Sequence, residues 1–206
     1  MSNILTARVQ IEGTRALLWH HFGPDAIPLE KQEKSGVSGN DPSEWRRTVL
    51  VTNDGQLYIK PTYAFGCIRE AAKYTKKGRG SLMSLIAATL QVTDEMILID
   101  RHFPNYPNGQ DFDLTTVAPP PNDITAPVFL DVCGVRNPTT KGRNVRYRVG
   151  ASKGWHANIN LLWDKTIIDR NQMHAILIDA GNLVGVGDGR SVGYGRFTVE
   201  HFEIGE

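Results

Sequence analysis

Five glycines fall within eleven residues near the end of the chain: Gly185, Gly187, Gly189, Gly193 and Gly195. The full run is Gly185-Val186-Gly187-Asp188-Gly189-Arg190-Ser191-Val192-Gly193-Tyr194-Gly195-Arg196-Phe197, with the skeleton GxGxxxxxGxG. Glycine is required where φ is positive or where a backbone must come close to another chain or a ligand. The run lies between an apolar-striped segment and an alternating one, so it joins a helix to a strand. That order, and the lack of a following Gly-Lys-Ser/Thr, excludes a Walker phosphate loop. A glycine loop lined by exposed N–H groups can cradle phosphates. Arg190, Ser191 and Arg196 add charge and hydroxyl donors beside it. A plain glycine-rich connection is the competing reading, and the regular spacing weighs against it.

The segments around this loop set the fold class. Leu5, Ala7, Val9 and Ile11 alternate and predict a strand over 4–12. Ala16–Trp19 reads as extended chain or a short turn. Residues 22–46 are rich in Gly, Pro, Ser and charge, and a loop this long is functional or disordered. Thr48–Thr52 and Gln56–Ile59 predict a hairpin turning at Asn53-Asp54-Gly55. Pro61 opens a helix over 62–76, with Phe65, Ile68, Ala72 and Thr75 on one face. Ser81 is placed to cap a second helix over 82–90. Met96–Ile99 is a brief strand, and 101–127 an irregular proline-rich connection. Pro127–Val135 and Asn144–Ala151 predict two strands around the loop Asn137–Arg143, and Trp155–Trp163 a third. Asp169 suits the N-cap of a helix over 170–181, with Gly181 or Asn182 closing it. Arg196–Ile204 is a last strand.

Without its insertions this order is β-α-β-β-α-β. The expected fold is therefore α+β, with a ferredoxin-like or RRM-like core. Hydrophobic residues make up 40% of the 206 and charged residues 22%, as in an ordinary globular chain. We expect one domain over 1–206, with insertions at about 22–58 and 78–126 and a projecting basic hairpin at about 128–151. No apolar run approaches the ~18 residues of a membrane span, and the N-terminus has no signal-peptide pattern. No membrane partner and a cytoplasmic location are expected. The net charge of +1 means that any nucleic-acid role must come from a local patch. Cys67 and Cys133 cannot build a disulfide framework and are expected as reduced core residues.

The glycine loop, placed between the second helix and the fourth strand of a ferredoxin-like domain, resembles the signature of the RAMP superfamily of CRISPR-associated proteins. Ile59-Lys60-Pro61-Thr62-Tyr63-Ala64-Phe65-Gly66-Cys67-Ile68-Arg69-Glu70 is similar to the start of the first helix in the backbone-forming subunits of that superfamily. The usual Gly-Ser-Ser after the proline is replaced by Thr62-Tyr63-Ala64. The resemblance spans about 4–204. It implies a subunit that binds single-stranded guide RNA and the complementary target strand paired to it, oligomerises along the guide with copies of itself and other effector subunits, and projects a β-hairpin thumb.

From Val132 to Trp163 there is no Asp or Glu, while Arg136, Lys141, Arg143, Arg146, Arg148 and Lys153 are present. Arg146 and Arg148 share one strand face, opposite Val145, Tyr147 and Val149. A polyanion is a natural partner for such a stripe, because each phosphate contact releases counterions. A solvated edge hairpin that uses charge against aggregation is the alternative. A second basic cluster joins Arg69, Lys73, Lys76, Lys77 and Arg79 around the end of the first helix, where lysines also complement the helix dipole. Arg46 and Arg47, after Trp45, form a third.

Catalytic candidates are few. His20 and His21 follow the first strand, and histidine suits general base work. The resemblance implies that such a histidine can serve a metal-independent endoribonuclease that processes guide RNA. It also implies that an aspartate in the first strand–helix loop can cut target RNA, which singles out Asp25 and Asp41. Asp100-Arg101-His102 and Asp111-Phe112-Asp113 match no tight metal-site spacing, so no metal and no cofactor are expected. The leading expectation is a non-catalytic, sequence-independent RNA-binding subunit. The alternatives are the endoribonuclease, and an α+β domain that assembles through protein contacts alone. Nothing in the sequence separates RNA from single-stranded DNA.

Overall fold

The computed structural model describes residues 2–23, 38–77, 80–103, 124–137 and 139–205. In chain order the elements are β1 (Ile4–Gly13), β2 (Leu17–Leu18), β3 (Ser38–Asn40), α1 (Glu44–Thr48), β4 (Gln56–Ile59), α2 (Pro61–Ala71), β5 (Lys76–Lys77), β6 (Gly80–Ser81), α3 (Met83–Thr89), β7 (Gln91–Val92) and β8 (Ile97–His102). Then come β9 (Val128–Arg136), β10 (Arg143–Ala151), β11 (His156–Asp164), α4 (Arg170–Asp179) and β12 (Phe197–Gly205). They gather into two compact units. One holds Met1–Leu17, Tyr58–Asp100 and Lys153–Glu206; the other holds Leu18–Leu57 and Arg101–Ser152.

The first unit is built on a sheet of order β12-β1-β11-β8-β4, with β7 added along β11. Taking β1, α2, β8, β11, α4 and β12 as the core gives β-α-β-β-α-β with strand order 4-1-3-2. The fold is α+β with a ferredoxin-like core. β1 runs antiparallel to β11, from Ile4 opposite Asp164 to Glu12 opposite His156. It also runs antiparallel to β12, with a bulge between Gln10 and Ile11. The period of two explains which face is dry. Ala7, Val9 and Ile11 of β1 and Ala157, Ile159, Leu161 and Trp163 of β11 are buried, as are Ala64, Cys67, Ile68 and Ala71 of α2 and Met173, Ile176 and Leu177 of α4. The opposite face presents Arg8, Gln10 and Glu12 beside Asn160, Asn158 and His156. No Phe, Tyr or Trp occupies the outward positions of β1 or β11, so the face lacks the aromatic platform on which an RRM stacks bases.

In the second unit β10 pairs antiparallel with β9, from Arg143 opposite Arg136 to Ala151 opposite Val128. β3 joins β10 in parallel at Arg143–Val145, and the sheet order is β2-β10-β3. Its core holds Leu18, Trp19, Trp45, Leu50, Phe129, Leu130 and Val149. Trp45 stacks on Phe103 with ring centroids 6.0 Å apart. Gly150 makes room for Phe129, whose ring lies 2.4 Å from where a Cβ would stand.

Several element boundaries differ from the expectation for identifiable reasons. The first long helix stops at Ala71 and turns through Ala72–Tyr74. Lys76 and Lys77 then pair with Ser81 and Gly80, so Ser81 is a strand residue and does not cap a helix. Leu82 takes the N-cap position of α3 without a side-chain hydrogen bond. Of the strand expected over Thr48–Thr52, Thr48 is the last residue of α1 and only Val51 bridges to Leu57. Asp169 does cap α4, in a capping box with Gln172. Gly181 does not end that helix. The chain continues as a π turn over Ala180–Val184 and closes at Gly185, with φ +81°. Gly181 is needed for packing, because a Cβ there would stand 2.1 Å from the Phe197 carbonyl oxygen.

Candidate nucleic-acid interface

The glycine loop leaves the π turn and enters β12. All five glycines have positive φ, from +68° at Gly195 to +96° at Gly193. The two arms are sewn together. Val186 N–H donates to Gly195 O at 2.9 Å, Gly195 N–H to Ala16 O at 2.8 Å, and Gly185 N–H to Ala180 O at 2.7 Å. A Cβ on Gly195 would stand 1.8 Å from Val186 O, and one on Gly185 2.9 Å from Gly195 O. Gly189 faces the Tyr194 ring at 2.8 Å in the same sense, whereas a Cβ on Gly193 meets nothing within 4 Å. The N–H groups of Gly185, Val186 and Gly195 are therefore spent on backbone acceptors, which corrects the expectation of a loop lined throughout by exposed donors. The tip is a short 3-10 turn, Arg190–Val192, bracketed by left-handed Gly189 and Gly193. Ser191 and Val192 are exposed there, while Arg190 is half-buried.

Helix α2 supports this loop. Cys67 donates to Ala180 O at 3.4 Å, and burial pushes its thiol up to about 12 despite nearby Arg190 and Arg196. Burial, with the Asp188 carboxylate second, raises the Tyr63 hydroxyl above its ordinary value. Lys73 donates to Glu70 at 3.1 Å and Arg190 lies 3.6 Å from the other Glu70 oxygen. Those cations, Lys73 first, hold the Glu70 carboxyl below the usual range. Arg196 has one buried guanidinium nitrogen with no hydrogen-bond partner among the described residues. Arg69 is exposed on α2 and Lys76 is exposed in β5. Lys77 forms backbone pairs in β5, so neither lysine belongs to a helix end as expected, and Arg79 lies outside the described residues. Lys153 is exposed just before β11.

The hairpin β9–β10 of the second unit carries the other cations. Arg136 and Arg143 face each other directly across the strands and both are exposed. Lys141 sits beyond them in the tip at φ +60°. The tip is shaped by Asn137, whose side-chain oxygen accepts from the N–H groups of Thr139 and Thr140. Further along β10 the expected basic stripe is neutralised. Arg148 is buried and donates twice to Asp131, one residue outside the acid-free span, at 2.6 and 3.0 Å. Its guanidinium also donates to the Cys133 sulfur at 2.9 Å. Arg146 donates to Glu44, a buried acid of α1. Arg148 is thus a core residue and no surface contact, and Arg146 is half-buried and paired. Glu44 and Asp131 were missed in the sequence, since neither lies in a motif and Glu44 is remote along the chain.

Glu44 also takes a hydrogen bond from Tyr147 N–H at 3.2 Å and lies 3.0 Å from His20 Nε2. Burial acts to raise its pKa, but His20, the Tyr147 amide and Arg146 together outweigh burial and hold it below the usual carboxylate range. His20 is therefore engaged with an acid. His21 donates its backbone N–H to Thr48 O at 2.7 Å. Asp41 accepts from Ser43 and Arg47 at the entry to α1. Arg46 lies 4.7 Å over the Trp45 ring. Asp25, Asp111 and Asp113 lie outside the described residues. One oriented pair on the first unit's sheet had no sequence signal: Asp100 accepts from both His156 N–H, at 2.7 Å, and its Nδ1, at 3.0 Å. Among the described residues no group of three or more His, Cys, Asp or Glu converges as a metal site, and no helix is long and apolar enough to cross a membrane.

No protein-family model matches the sequence, and no curated protein matches it. Similar solved structures do exist. A chain of the type III-B Cmr-beta complex bound to cognate target RNA aligns at TM-score 0.45 and 12% identity, over 98% of this chain and 60% of that one. This chain thus spans about 60% of the length of that neighbour. A chain of a type IV-B CRISPR complex aligns at 0.43 and 14%, over 97% and 90%. Cmr6 from Pyrococcus furiosus aligns at 0.42 and 11%, over 98% and 100%.

Proposed function

We propose that this chain is a sequence-independent binder of single-stranded guide RNA, serving as a backbone subunit of a CRISPR-type ribonucleoprotein effector. The observation that carries this reading is the position and build of the glycine loop. It joins the second helix to the last strand of a ferredoxin-like core, and its tip, held by two left-handed glycines, exposes Ser191 and carries Arg190, half-buried and 3.6 Å from Glu70. Backbone phosphates are the ligand chemistry that such a tip and its neighbouring cations, Arg196 and Arg69, address. Arg136, Lys141 and Arg143 supply a second set of cations at the hairpin tip. Two arginines facing each other across a strand pair repel. An anion between them relieves that repulsion. Among the described residues no element presents a side-chain array suited to reading base edges, so target sequence would be read by pairing to the guide. The near-neutral net charge lets copies pack beside one another while their cations are concentrated locally.

The test is purification without nuclease, followed by the 260/280 nm absorbance ratio, gel filtration and anisotropy titrations with unrelated single-stranded RNAs over a salt series. A large RNase-sensitive species, and affinities that fall with salt but not with sequence, support the proposal. A nucleic-acid-free protein that binds none of the RNAs refutes it. Cleavage in EDTA that is lost in His20→Ala or His21→Ala would favour the endoribonuclease instead. Competition with DNA of the same sequence separates the two nucleic acids through the 2′-hydroxyl.

A further inference from the structure

Strand β12 is the outermost strand of the first unit's sheet, and among the described residues it pairs with β1 alone. Its other edge carries N–H and C=O groups that no strand takes up there, along an element of nine residues. Sheet edges are commonly blunted by lysine or proline, and β12, Phe-Thr-Val-Glu-His-Phe-Glu-Ile-Gly, holds neither. Its register with β1 shifts between Gln10 and Ile11, which sets Glu200 out of step and leaves His201–Gly205 regular. In that regular stretch His201 and Glu203 are exposed on the polar face. Phe202 and Ile204 lie on the apolar face and are only half-buried, whereas Val9 and Ile11 of the neighbouring β1 are fully buried. Apolar surface is therefore left along the edge. Helix α4 borders it. Phe202 stacks on His174 with ring centroids 5.1 Å apart, and Ile178, one turn further along that side of α4, is 42% exposed.

The edge is complementary to itself in one register. Two antiparallel copies of β12 related by a two-fold axis at Phe202 set Phe202 against its counterpart on the apolar face. On the polar face they set His201 against Glu203 twice over, once on each side of the axis. Moving the axis to Glu203 places that acid opposite itself, and moving it to His201 places Phe202 opposite the bulged Glu200. We propose that the β12 edge pairs antiparallel with the β12 edge of a second copy of this chain about an axis at Phe202, joining the two sheets and covering Phe202, Ile204 and the flank of α4 at Ile178. An isologous contact of this kind uses one patch on both copies and closes at two. It differs from head-to-tail repetition along a strand of RNA, and it does not rest on the RNA-binding reading. A contact of one short edge and a helix flank suits a weak dimer.

The experiment uses the full chain, freed of nucleic acid by nuclease and high salt and checked by its 260/280 nm ratio. Sedimentation velocity is followed from low to high micromolar concentration. Wild type is expected to pass from monomer to dimer and to stop there. His201→Glu turns both His–Glu pairs into facing acids and should weaken dimerisation by roughly ten-fold or more. His201→Glu combined with Glu203→His exchanges the two partners and should restore it to within about three-fold of wild type. Both positions are exposed, so the fold is kept, and circular dichroism checks this. A wild type that stays monomeric throughout overturns the proposal, as does one that grows past the dimer. A dimer that His201→Glu leaves intact, or that the double exchange fails to restore, overturns it as well. RNA affinity is titrated separately: a wild type that dimerises yet binds no RNA overturns the functional reading and leaves the edge pairing standing.

Discussion

The five glycines of the loop look equivalent in the sequence, yet their surroundings divide them, and Gly195→Ala against Gly193→Ala measures the division. At Gly195 an alanine must hold φ +68°, and its Cβ must move from 1.8 Å to at least 3.0 Å from Val186 O. Left-handed backbone costs an L-residue about 1–2 kcal/mol. The shift also strains two backbone hydrogen bonds, Val186 N–H to Gly195 O and Gly195 N–H to Ala16 O, each with a net contribution of roughly 0.5–1.5 kcal/mol. A loss of about 3 kcal/mol follows. At Gly193 only the backbone strain at φ +96° remains, because nothing lies within 4 Å of the new Cβ, so the loss is about 1 kcal/mol. With a urea m-value of about 2 kcal/mol/M, the two unfolding midpoints should differ by about 1 M. Urea titration followed by tryptophan fluorescence and circular dichroism reads the difference. In RNA binding the order inverts: Gly193→Ala stays folded but obstructs the open side of the tip. Coincident midpoints, or a less stable Gly193→Ala, would refute the argument that Gly195 serves the fold and Gly193 the ligand.

Other consequences follow from the charge pairs. Arg148→Ala leaves Asp131 buried without its partner and should cost about 3–5 kcal/mol by urea titration. Replacing both together by apolar residues of similar volume should recover most of that loss. Arg136→Ala and Arg143→Ala should each lower the slope of log affinity against log salt by about 1, without loss of stability, since each removes one side of a like-charge pair. Glu44 is held below its ordinary value near 4.5, so its contribution is complete above that pH and is lost as pH falls through the lower folded value. Glu44→Gln should therefore lower stability at pH 7 and flatten this part of the acid limb in a pH series of urea midpoints. Cys67, raised to about 12 by burial, should resist Ellman's reagent at pH 8 until urea unfolds the first unit.

The core was legible because its signal is local. The alternation of Ala7, Val9 and Ile11, the Asp169–Gln172 capping box and Pro61 at the start of α2 each act within a few residues and survive any tertiary context. What the sequence concealed was set by distant partners. Gly181 reads as a helix stop, but the approach of Phe197 decides its role. The lysines at 76 and 77 read as a helix end, but the short pairing with Gly80–Ser81 draws them into a turn. The five positive φ values of the loop were implied by the glycine spacing; which amides the arms consume was not, because Ala16 supplies one of the acceptors.

The acid-free span from Val132 to Trp163 shows why a charge run is a poor guide to a binding face. Counted along the chain it offers an unbroken basic strand. Counted in space, Asp131 and Glu44 neutralise Arg148 and Arg146 at the middle of β10. A buried ion pair is weak evidence for stability and is costly to break, so Arg148 is committed to the unit's interior order, and half-buried Arg146 is held by Glu44. What remains for a polyanion is the far end of the hairpin, where Arg136 and Arg143 face each other with no acid placed between them among the described residues. That end is also where Asn137 organises the turn and Lys141 adopts left-handed backbone. The same division recurs at the glycine loop: the arms are consumed by packing and the tip is left outward. In both places the interior contacts fix a small projection, and Ser191, Arg136, Lys141 and Arg143, proposed to meet RNA, stand exposed on it.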